Sequence, residues 1–160
     1  MISNSNISVE PIKLGSQQWK DSRLIELNLS NNGLKGEIPK SIGNPTQLTF
    51  FQSKQNKFTG SIPDSIKNLI NLEYLYLYKN QLSGNIPVQI GDLINLFKLD
   101  LSLNDFSGEI PIEIGALTKL NSLRLFSNQL TGKIPSSIGS LIELEFLFLQ
   151  NNQFLLLLFL

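Results

Sequence analysis

Three tyrosines that alternate with leucines are the residues best suited to chemistry in this 160-residue chain. Tyr74, Tyr76 and Tyr78 are separated by Leu75 and Leu77, so on an extended backbone the tyrosines point to one face and the leucines to the other. The leucines are expected to be buried, which leaves three phenol rings on the solvent side. Rigid amphipathic rings of this kind are typical of surfaces that bind other molecules.

Catalytic chemistry has little support in the composition. The chain has no cysteine and no histidine, which excludes disulfides, thiolate or imidazole metal sites and histidine-based acid–base catalysis. No phosphate-binding loop, nucleophile elbow, zinc signature or kinase motif set is present. Scattered carboxylates such as Glu109 and Glu113 are interpreted as solvated surface. We therefore expect a protein that is not an enzyme and that uses no metal or cofactor.

The charge balance narrows the choice of partners. Thirteen basic residues balance thirteen acidic ones, and the formal net charge is zero. A nucleic-acid-binding surface normally needs a clustered cationic face, and so does a polybasic membrane anchor. The composition therefore argues against nucleic acid and against a charged lipid surface as the main partner.

The element that must position the tyrosines is a repeat. From Leu24 onward leucines recur every 24 residues without insertion, and a glycine and an Ile-Pro pair follow in the second half of the repeat. The ninth position of each repeat is asparagine: Asn32, Asn56, Asn80, Asn104, Asn128 and Asn152. Self-similarity at this period predicts a solenoid, in which each unit buries its apolar face only against its neighbours.

Each column of the repeat has a physical interpretation. Leucines at every second position before the asparagine predict a short strand with one buried face, and successive strands should stack in parallel about 4.8 Å apart. A buried asparagine can hydrogen-bond backbone groups, and each bond contributes roughly 0.5–1.5 kcal/mol. Proline fixes φ and disfavours helix in the residue before it, so the opposite side of each coil should be extended or 3₁₀.

The pattern L-x-x-L-x-L-x-x-N-x-L-x-G-x-I-P-x-x-I-G-x-L-x-x resembles the plant-type, 24-residue leucine-rich repeat of receptor-like kinase and receptor-like protein ectodomains and of polygalacturonase inhibitors. The resemblance covers residues 24–154, five full repeats and the first half of a sixth. It implies an α/β-type solenoid with a parallel concave β-sheet of about six short strands. The convex side should consist of turns, 3₁₀ and short extended segments.

Three segments follow from this assignment. Residues 1–23 lack the period, carry the single tryptophan and are expected to be a leader or partial cap. Residues 24–154 form the leucine-rich repeat domain. Residues 155–160 are an apolar tail, too short for a membrane-spanning helix, which needs about 20 residues.

The outward strand positions are the candidate partner-binding residues. In a leucine-rich repeat these positions line the concave face, and here they contain a row of aromatics beside a small charged island. The predicted binding residues are Phe50, Tyr74, Tyr76, Tyr78, Lys98, Asp100, Arg124, Phe126, Phe146 and Phe148. An alternative is that the rings only stiffen the sheet by cross-strand stacking and that Asp100 and Arg124 form an ordinary surface salt bridge.

By resemblance, the expected function is noncatalytic recognition of a protein, peptide or glycan partner, as in a receptor-like ectodomain fragment with a role in signalling or defence. Two alternatives stay open: a secreted inhibitor of a microbial glycanase, and a truncated repeat fragment that self-associates through uncapped ends, above all the C-terminal end. A further class, an ice-binding solenoid, would need a regular hydroxyl array. The column nearest to one is Lys35, Thr59, Ser83, Ser107 and Thr131.

The resemblance also implies an extracellular or cell-surface location. Two N-x-S sequons, at Asn6 and Asn28, are glycosylation candidates consistent with secretion. The first residues have neither a basic region nor an apolar run typical of a secretory signal, so a cytoplasmic location stays open.

Overall fold

The computed structural model of the protein describes residues 15–155. Residues 1–14 of the predicted leader, the sequon at Asn6 and residues 156–160 of the apolar tail lie outside the described residues. The strands, numbered in chain order, are β1 Ser16–Lys20, β2 Arg23–Asn28, β3 Lys35–Glu37, β4 Phe50–Gln52, β5 Lys57–Gly60, β6 Tyr74–Tyr76, β7 Gln81–Asn85, β8 Lys98–Asp100, β9 Asp105–Gly108, β10 Ser122–Arg124, β11 Gln129–Leu130 and β12 Phe146–Phe148.

The concave sheet has seven strands in the order β1-β2-β4-β6-β8-β10-β12. From β2 to β12 the strands are parallel, which confirms the predicted sheet of about six parallel strands. The seventh strand, β1, comes from the segment before the first repeat and pairs antiparallel with β2. The sequence before Leu24 therefore supplies one additional strand at the N-terminal edge.

A second sheet lies on the other limb of each coil. Its five strands, in the order β11-β9-β7-β5-β3, are short and parallel. A 3₁₀ helix begins directly after the proline of each Ile-Pro pair, and that proline has extended dihedral angles. The 3₁₀ helices are Lys40–Gly43, Asp64–Asn68, Val88–Asp92, Ile112–Ala116 and Ser136–Ser140. The predicted mixture of extended and 3₁₀ structure is confirmed, with the extended pieces joined into a sheet.

The core is one continuous cluster of leucine and isoleucine with Phe51, Phe58 and Phe106. In the central repeats the inward leucines are fully buried. Examples are Leu75, Leu99 and Leu123, which lie opposite one another on successive strands. Burying one such side chain stabilises the fold by roughly 1.5–3 kcal/mol. Leu27 and Leu149, near the two ends of the described solenoid, are only partly buried against this core.

Asparagines at the ninth repeat position hold neighbouring coils together. Asn104 is 8% exposed, and its side-chain nitrogen donates to the carbonyl oxygens of Leu77 and Leu101 at 3.1 Å. Its side-chain oxygen accepts a hydrogen bond from the Leu82 N–H at 3.0 Å. Equivalent bonds to the preceding repeat are made by Asn56, Asn80, Asn128 and Asn152.

The first asparagine of the column differs from the rest. Asn32 is exposed, and its side-chain nitrogen donates to the carbonyl oxygen of Ser30, two residues earlier. Its backbone N–H donates to Asn56 of the next repeat. The described residues contain no preceding repeat coil for Asn32 to bond, which is why it lacks the contacts of the other five.

Candidate functional site

The concave face is organised in straight rows because neighbouring strands of its sheet pair with an offset of one repeat. Residues separated by 24 positions therefore lie directly opposite one another, as in the pairing of Phe50 with Tyr74 and of Tyr74 with Lys98. Two outward rows result. They contain Glu26, Phe50, Tyr74, Lys98, Ser122 and Phe146, and Asn28, Gln52, Tyr76, Asp100, Arg124 and Phe148.

Four of the outward aromatic rings form a cluster at the centre of this face. The Phe50 ring lies 5.9 Å from Tyr74 and 5.8 Å from Tyr76, measured between ring centroids. Tyr74 and Tyr76 are 6.3 Å apart, and Tyr74 also meets Phe97 edge-on at 6.0 Å. Edge-to-face and offset pairs at such distances stabilise one another by about 0.5–1.5 kcal/mol. We name these four residues the aromatic cluster.

Phe97 belongs to the aromatic cluster but is absent from the binding residues predicted from the sequence. It stands one position before the outward row, directly before Lys98, and is 37% exposed. The Lys98 ammonium lies 5.6 Å from its ring centroid. An aromatic at the position where the other repeats have isoleucine, threonine, glutamate or asparagine was the available signal.

The remaining predicted aromatics do not join this cluster. Tyr78 is half-buried, and the Lys54 ammonium lies 5.6 Å from its ring centroid. Phe148 receives the Arg124 guanidinium at 5.1 Å. Phe126 is half-buried and Phe146 is exposed. The predicted binding residues are thus spread over five strands or strand ends, with only Phe50, Tyr74 and Tyr76 in mutual ring contact.

A pocket of about 400 Å³ opens on the concave face next to the aromatic cluster. Its lining combines aromatic, cationic and hydroxyl-bearing side chains, and carries one carboxylate. It is lined by Phe50, Gln52, Lys54, Tyr76, Tyr78, Lys98, Leu99, Asp100, Ser122 and Arg124. Six of the ten predicted binding residues therefore meet in one concavity.

Asp100 lies deeper in this pocket than its sequence position suggests. The sequence places it on the solvent side, but it is only 7% exposed. Its carboxylate accepts hydrogen bonds from the Ser102 hydroxyl at 2.5 Å and the Ser102 N–H at 3.1 Å. Burial raises the pKa of Asp100, while the Ser102 hydrogen bonds and the Arg124 charge act in the opposite direction. A surface salt bridge with Arg124 is therefore the wrong description of this carboxylate.

Tyr76 borders the same buried acid. Burial raises the pKa of its phenol, and the neighbouring Tyr74 and Asp100 act in the same direction. Its hydroxyl consequently stays protonated at neutral pH and can donate a hydrogen bond into the pocket.

A larger groove of about 950 Å³ lies at the N-terminal end of the solenoid. Its walls include core positions of the first repeats, Leu24, Leu27, Ile42 and Phe58, together with the exposed Trp19. Such a lining is what remains where the described residues place no further coil over the apolar core. We therefore assign the candidate site to the smaller pocket, where the outward side chains converge.

The second sheet does not present the hydroxyl array that an ice-binding surface would need. Its strands pair with an offset of 22 residues rather than 24, so Thr59 lies opposite Gln81 and Ser107 lies opposite Gln129. Ser83 likewise lies opposite Asp105. Hydroxyl groups therefore alternate with amide and charged side chains across the strands.

Several other sequence-based expectations concern single sites or segments. Asn28 of the second sequon is half-buried on β2, and its side-chain oxygen accepts a hydrogen bond from the Ser30 N–H at 3.0 Å. Residues 15–155 contain no group of three or more acidic side chains arranged to hold a metal ion. Within the same range no helix has the length and apolar character needed to cross a membrane.

Comparison with known proteins agrees with the geometry. The Leucine Rich Repeat family model matches residues 23–45, 71–93, 95–117 and 119–141. A search of curated protein sequences gives no significant match. Among solved structures, the ectodomain of the plant membrane receptor kinase GASSHO1/SCHENGEN3 from Arabidopsis thaliana, solved in complex with CASPARIAN STRIP INTEGRITY FACTOR 2, is 44% identical with a TM-score of 0.80. That match covers 82% of this chain and 16% of the receptor chain.

Two further structures resemble the chain. A chain of the BIR3–SERK2 complex from Arabidopsis thaliana is 34% identical with a TM-score of 0.81, and the match covers 96% of this chain and 84% of that one. A plant ice-binding protein is 30% identical with a TM-score of 0.76, and the match covers 89% of this chain and 46% of that protein. The chain spans only 16–23% of the length of four similar plant receptor chains, that of GASSHO1/SCHENGEN3 among them. The repeat columns, the stacked parallel sheet and these similarities together show that the chain belongs to the leucine-rich repeat family and resembles the ectodomains of plant receptor kinases.

Proposed function

We propose that the chain is a noncatalytic recognition module that binds an extended peptide or protein segment across its concave face, as part of a receptor-like, extracellular ectodomain. The observation that carries the proposal is the aromatic cluster beside the concave pocket. Tyr74 and Tyr76 sit at the centre of the sheet, half-exposed, where their rings offer apolar area and their hydroxyls offer hydrogen bonds. The pocket next to them supplies a cavity for a side chain.

The dimensions of the sheet suit an extended ligand. Six parallel strands spaced about 4.8 Å apart form a face roughly 24 Å wide. A nine-residue extended peptide spans about 30 Å, so it can cross every row. A similar structure, the Arabidopsis receptor kinase HAESA, is solved in complex with the peptide hormone IDA, which supports this class of ligand.

The test is a random nonapeptide display library selected on the full chain. Peptides selected on the native protein should lose at least about tenfold in affinity for the triple variant Tyr74→Ser, Tyr76→Ser, Tyr78→Ser, because central aromatic side chains carry most of the binding energy at such surfaces. The matched control is Val88→Ser with Ile112→Ser, two exposed apolar residues on the 3₁₀ side. Peptides that bind the triple variant unchanged, while it stays folded by circular dichroism, would place the site elsewhere.

Self-association is a second candidate that one observation favours. Leu147 on β12 is 42% exposed, whereas Leu123 at the same position of the preceding repeat is fully buried. An apolar edge strand is prone to pair with another chain. Sedimentation of the full chain should then show concentration-dependent dimers that Leu147→Lys abolishes. A monomer at every concentration would rule this candidate out.

A further inference from the structure

We propose that the concave pocket binds an acidic side chain of its peptide ligand, an inference that rests on the proposed function and names the ligand chemistry of the same site. Three cations, Lys54, Lys98 and Arg124, line the pocket against one carboxylate, Asp100. Three positive charges minus one negative leave a local formal charge of +2, in a chain whose total formal charge is zero. The pocket therefore carries a net positive charge, although the chain as a whole does not.

Within residues 15–155 the three cations have no carboxylate partner. Each is instead placed over an aromatic ring, at 5.6 Å for Lys54 over Tyr78, and none forms an ion pair with a described residue. The Lys98 and Arg124 side chains rest on Phe97 and Phe148 in the same way. Cation–π contacts hold a cation in position without cancelling its charge. The cations are thus oriented but still available to a ligand anion.

Asp100, the single acidic residue that lines the pocket, does not neutralise the three cations. Asp100 is buried beneath the rim, and the Ser102 hydroxyl and N–H donate hydrogen bonds to its carboxylate. Lys54, Lys98 and Arg124 therefore form no salt bridge with Asp100. Glu26, the other carboxylate in the two outward rows, lies opposite Phe50 and does not line the pocket.

The size and the other lining groups define what kind of anion fits. A volume of about 400 Å³ is near the lower end of the range for ligand pockets and suits a side chain with its adjoining backbone. The Tyr76 phenol and the Ser122 hydroxyl add neutral donors beside the cations. A carboxylate in a pocket walled by aromatic rings and cations, with several donors, gains charge-assisted hydrogen bonds. An aspartate or glutamate flanked by apolar residues meets these requirements.

The test compares selections from the random nonapeptide display library on two forms of the full chain. Peptides selected on the native protein should be enriched in Asp and Glu, and replacing the acid by its amide should weaken binding at least about tenfold. The double variant Lys98→Gln, Arg124→Gln should select peptides without that enrichment. The control variant Lys57→Gln, Lys133→Gln removes the same charge from two exposed positions that do not line the pocket, and it should preserve the acidic enrichment. Binding of the acidic peptides should also weaken as salt is raised.

The outcomes separate this inference from the function on which it rests. Peptides that depend on the three tyrosines but show no acidic enrichment would overturn the inference and leave the proposed function standing. Equal acidic enrichment on the native protein and on the Lys98→Gln, Arg124→Gln variant would overturn it as well. Peptides indifferent to both sets of substitutions would overturn the inference and the proposed function together.

Discussion

Asp100 and Arg124 lie directly opposite each other on neighbouring strands of the concave sheet, yet their side chains do not pair. The carboxylate turns to Ser102, and the guanidinium stacks on Phe148. Opposite charges at facing positions would normally form a cross-strand pair. The separation keeps the arginine available at the surface and leaves the aspartate as a buried charge whose pKa is raised chiefly by burial.

This arrangement predicts how stability depends on pH. Because the pKa of Asp100 is higher in the folded than in the unfolded chain, the folded state binds the proton more readily between the two values. The stability that Asp100 contributes is greatest below the pKa it has in the unfolded chain. This contribution is lost as the pH rises through the pKa that Asp100 has in the folded chain. In Asp100→Asn that fall should be absent. Urea unfolding across the acidic to neutral range measures it, with the exposed Asp92→Asn as control. Identical pH profiles for both variants would contradict the prediction.

The asparagine column predicts a contrast between two substitutions of the same type. Asn104→Ala removes the bonds to Leu77 and Leu101 and leaves the Leu82 N–H without its partner, so we expect a loss of about 3–5 kcal/mol. Asn32→Ala, at an exposed position with a local bond, should cost less than about 1 kcal/mol. Chemical denaturation measures both free energies. Similar losses at the two positions would show that the bonds between repeats are not what stabilises the column.

The coil of each repeat could be predicted from the sequence because its determinants are local and periodic. Leucines at period two, an asparagine with several possible backbone partners and a proline before each 3₁₀ helix each leave few alternatives. The depth of Asp100 could not be predicted in the same way. Its surroundings include the hydrogen bonds from Ser102 and Tyr76 opposite it on the neighbouring strand, and neither residue type is set by the repeat pattern.

The register of the second sheet also could not be predicted from the sequence. Its strands are displaced by two residues relative to the 24-residue repeat, so Thr59 faces Gln81 instead of Ser83. The register depends on how neighbouring coils stack, which the 24-residue spacing alone does not specify. A column that looks uniform in the aligned sequence is therefore interrupted in space.

A left-handed turn after each concave strand predicts a stabilising substitution. Leu103 has φ of 55° and is 41% exposed, and five other non-glycine residues adopt the same conformation at this repeat position. The left-handed region costs a leucine roughly 1–2 kcal/mol, whereas asparagine tolerates it. Leu103→Asn should therefore stabilise the fold by about 0.5–1 kcal/mol, and the β-branched Leu103→Val should destabilise it. Differential scanning calorimetry gives the sign of each change. A lower melting temperature for Leu103→Asn would mean that the leucine side chain itself stabilises the fold.

Close packing between successive 3₁₀ helices predicts opposite effects for two glycines in the same repeat position. A Cβ at Gly91 would lie 2.6 Å from the backbone carbonyl oxygen of Glu113, and a backbone atom cannot move away without shifting the next coil. We expect Gly91→Ala to destabilise the fold by about 1–3 kcal/mol. A Cβ at Gly139 meets no described atom within 4 Å, so Gly139→Ala should be neutral or stabilise by up to about 1 kcal/mol by restricting the unfolded chain. Urea unfolding of the two variants, compared with the native chain, tests both signs at once. A stable Gly91→Ala would show that the coils can separate at little cost and that glycine here is not required by the packing.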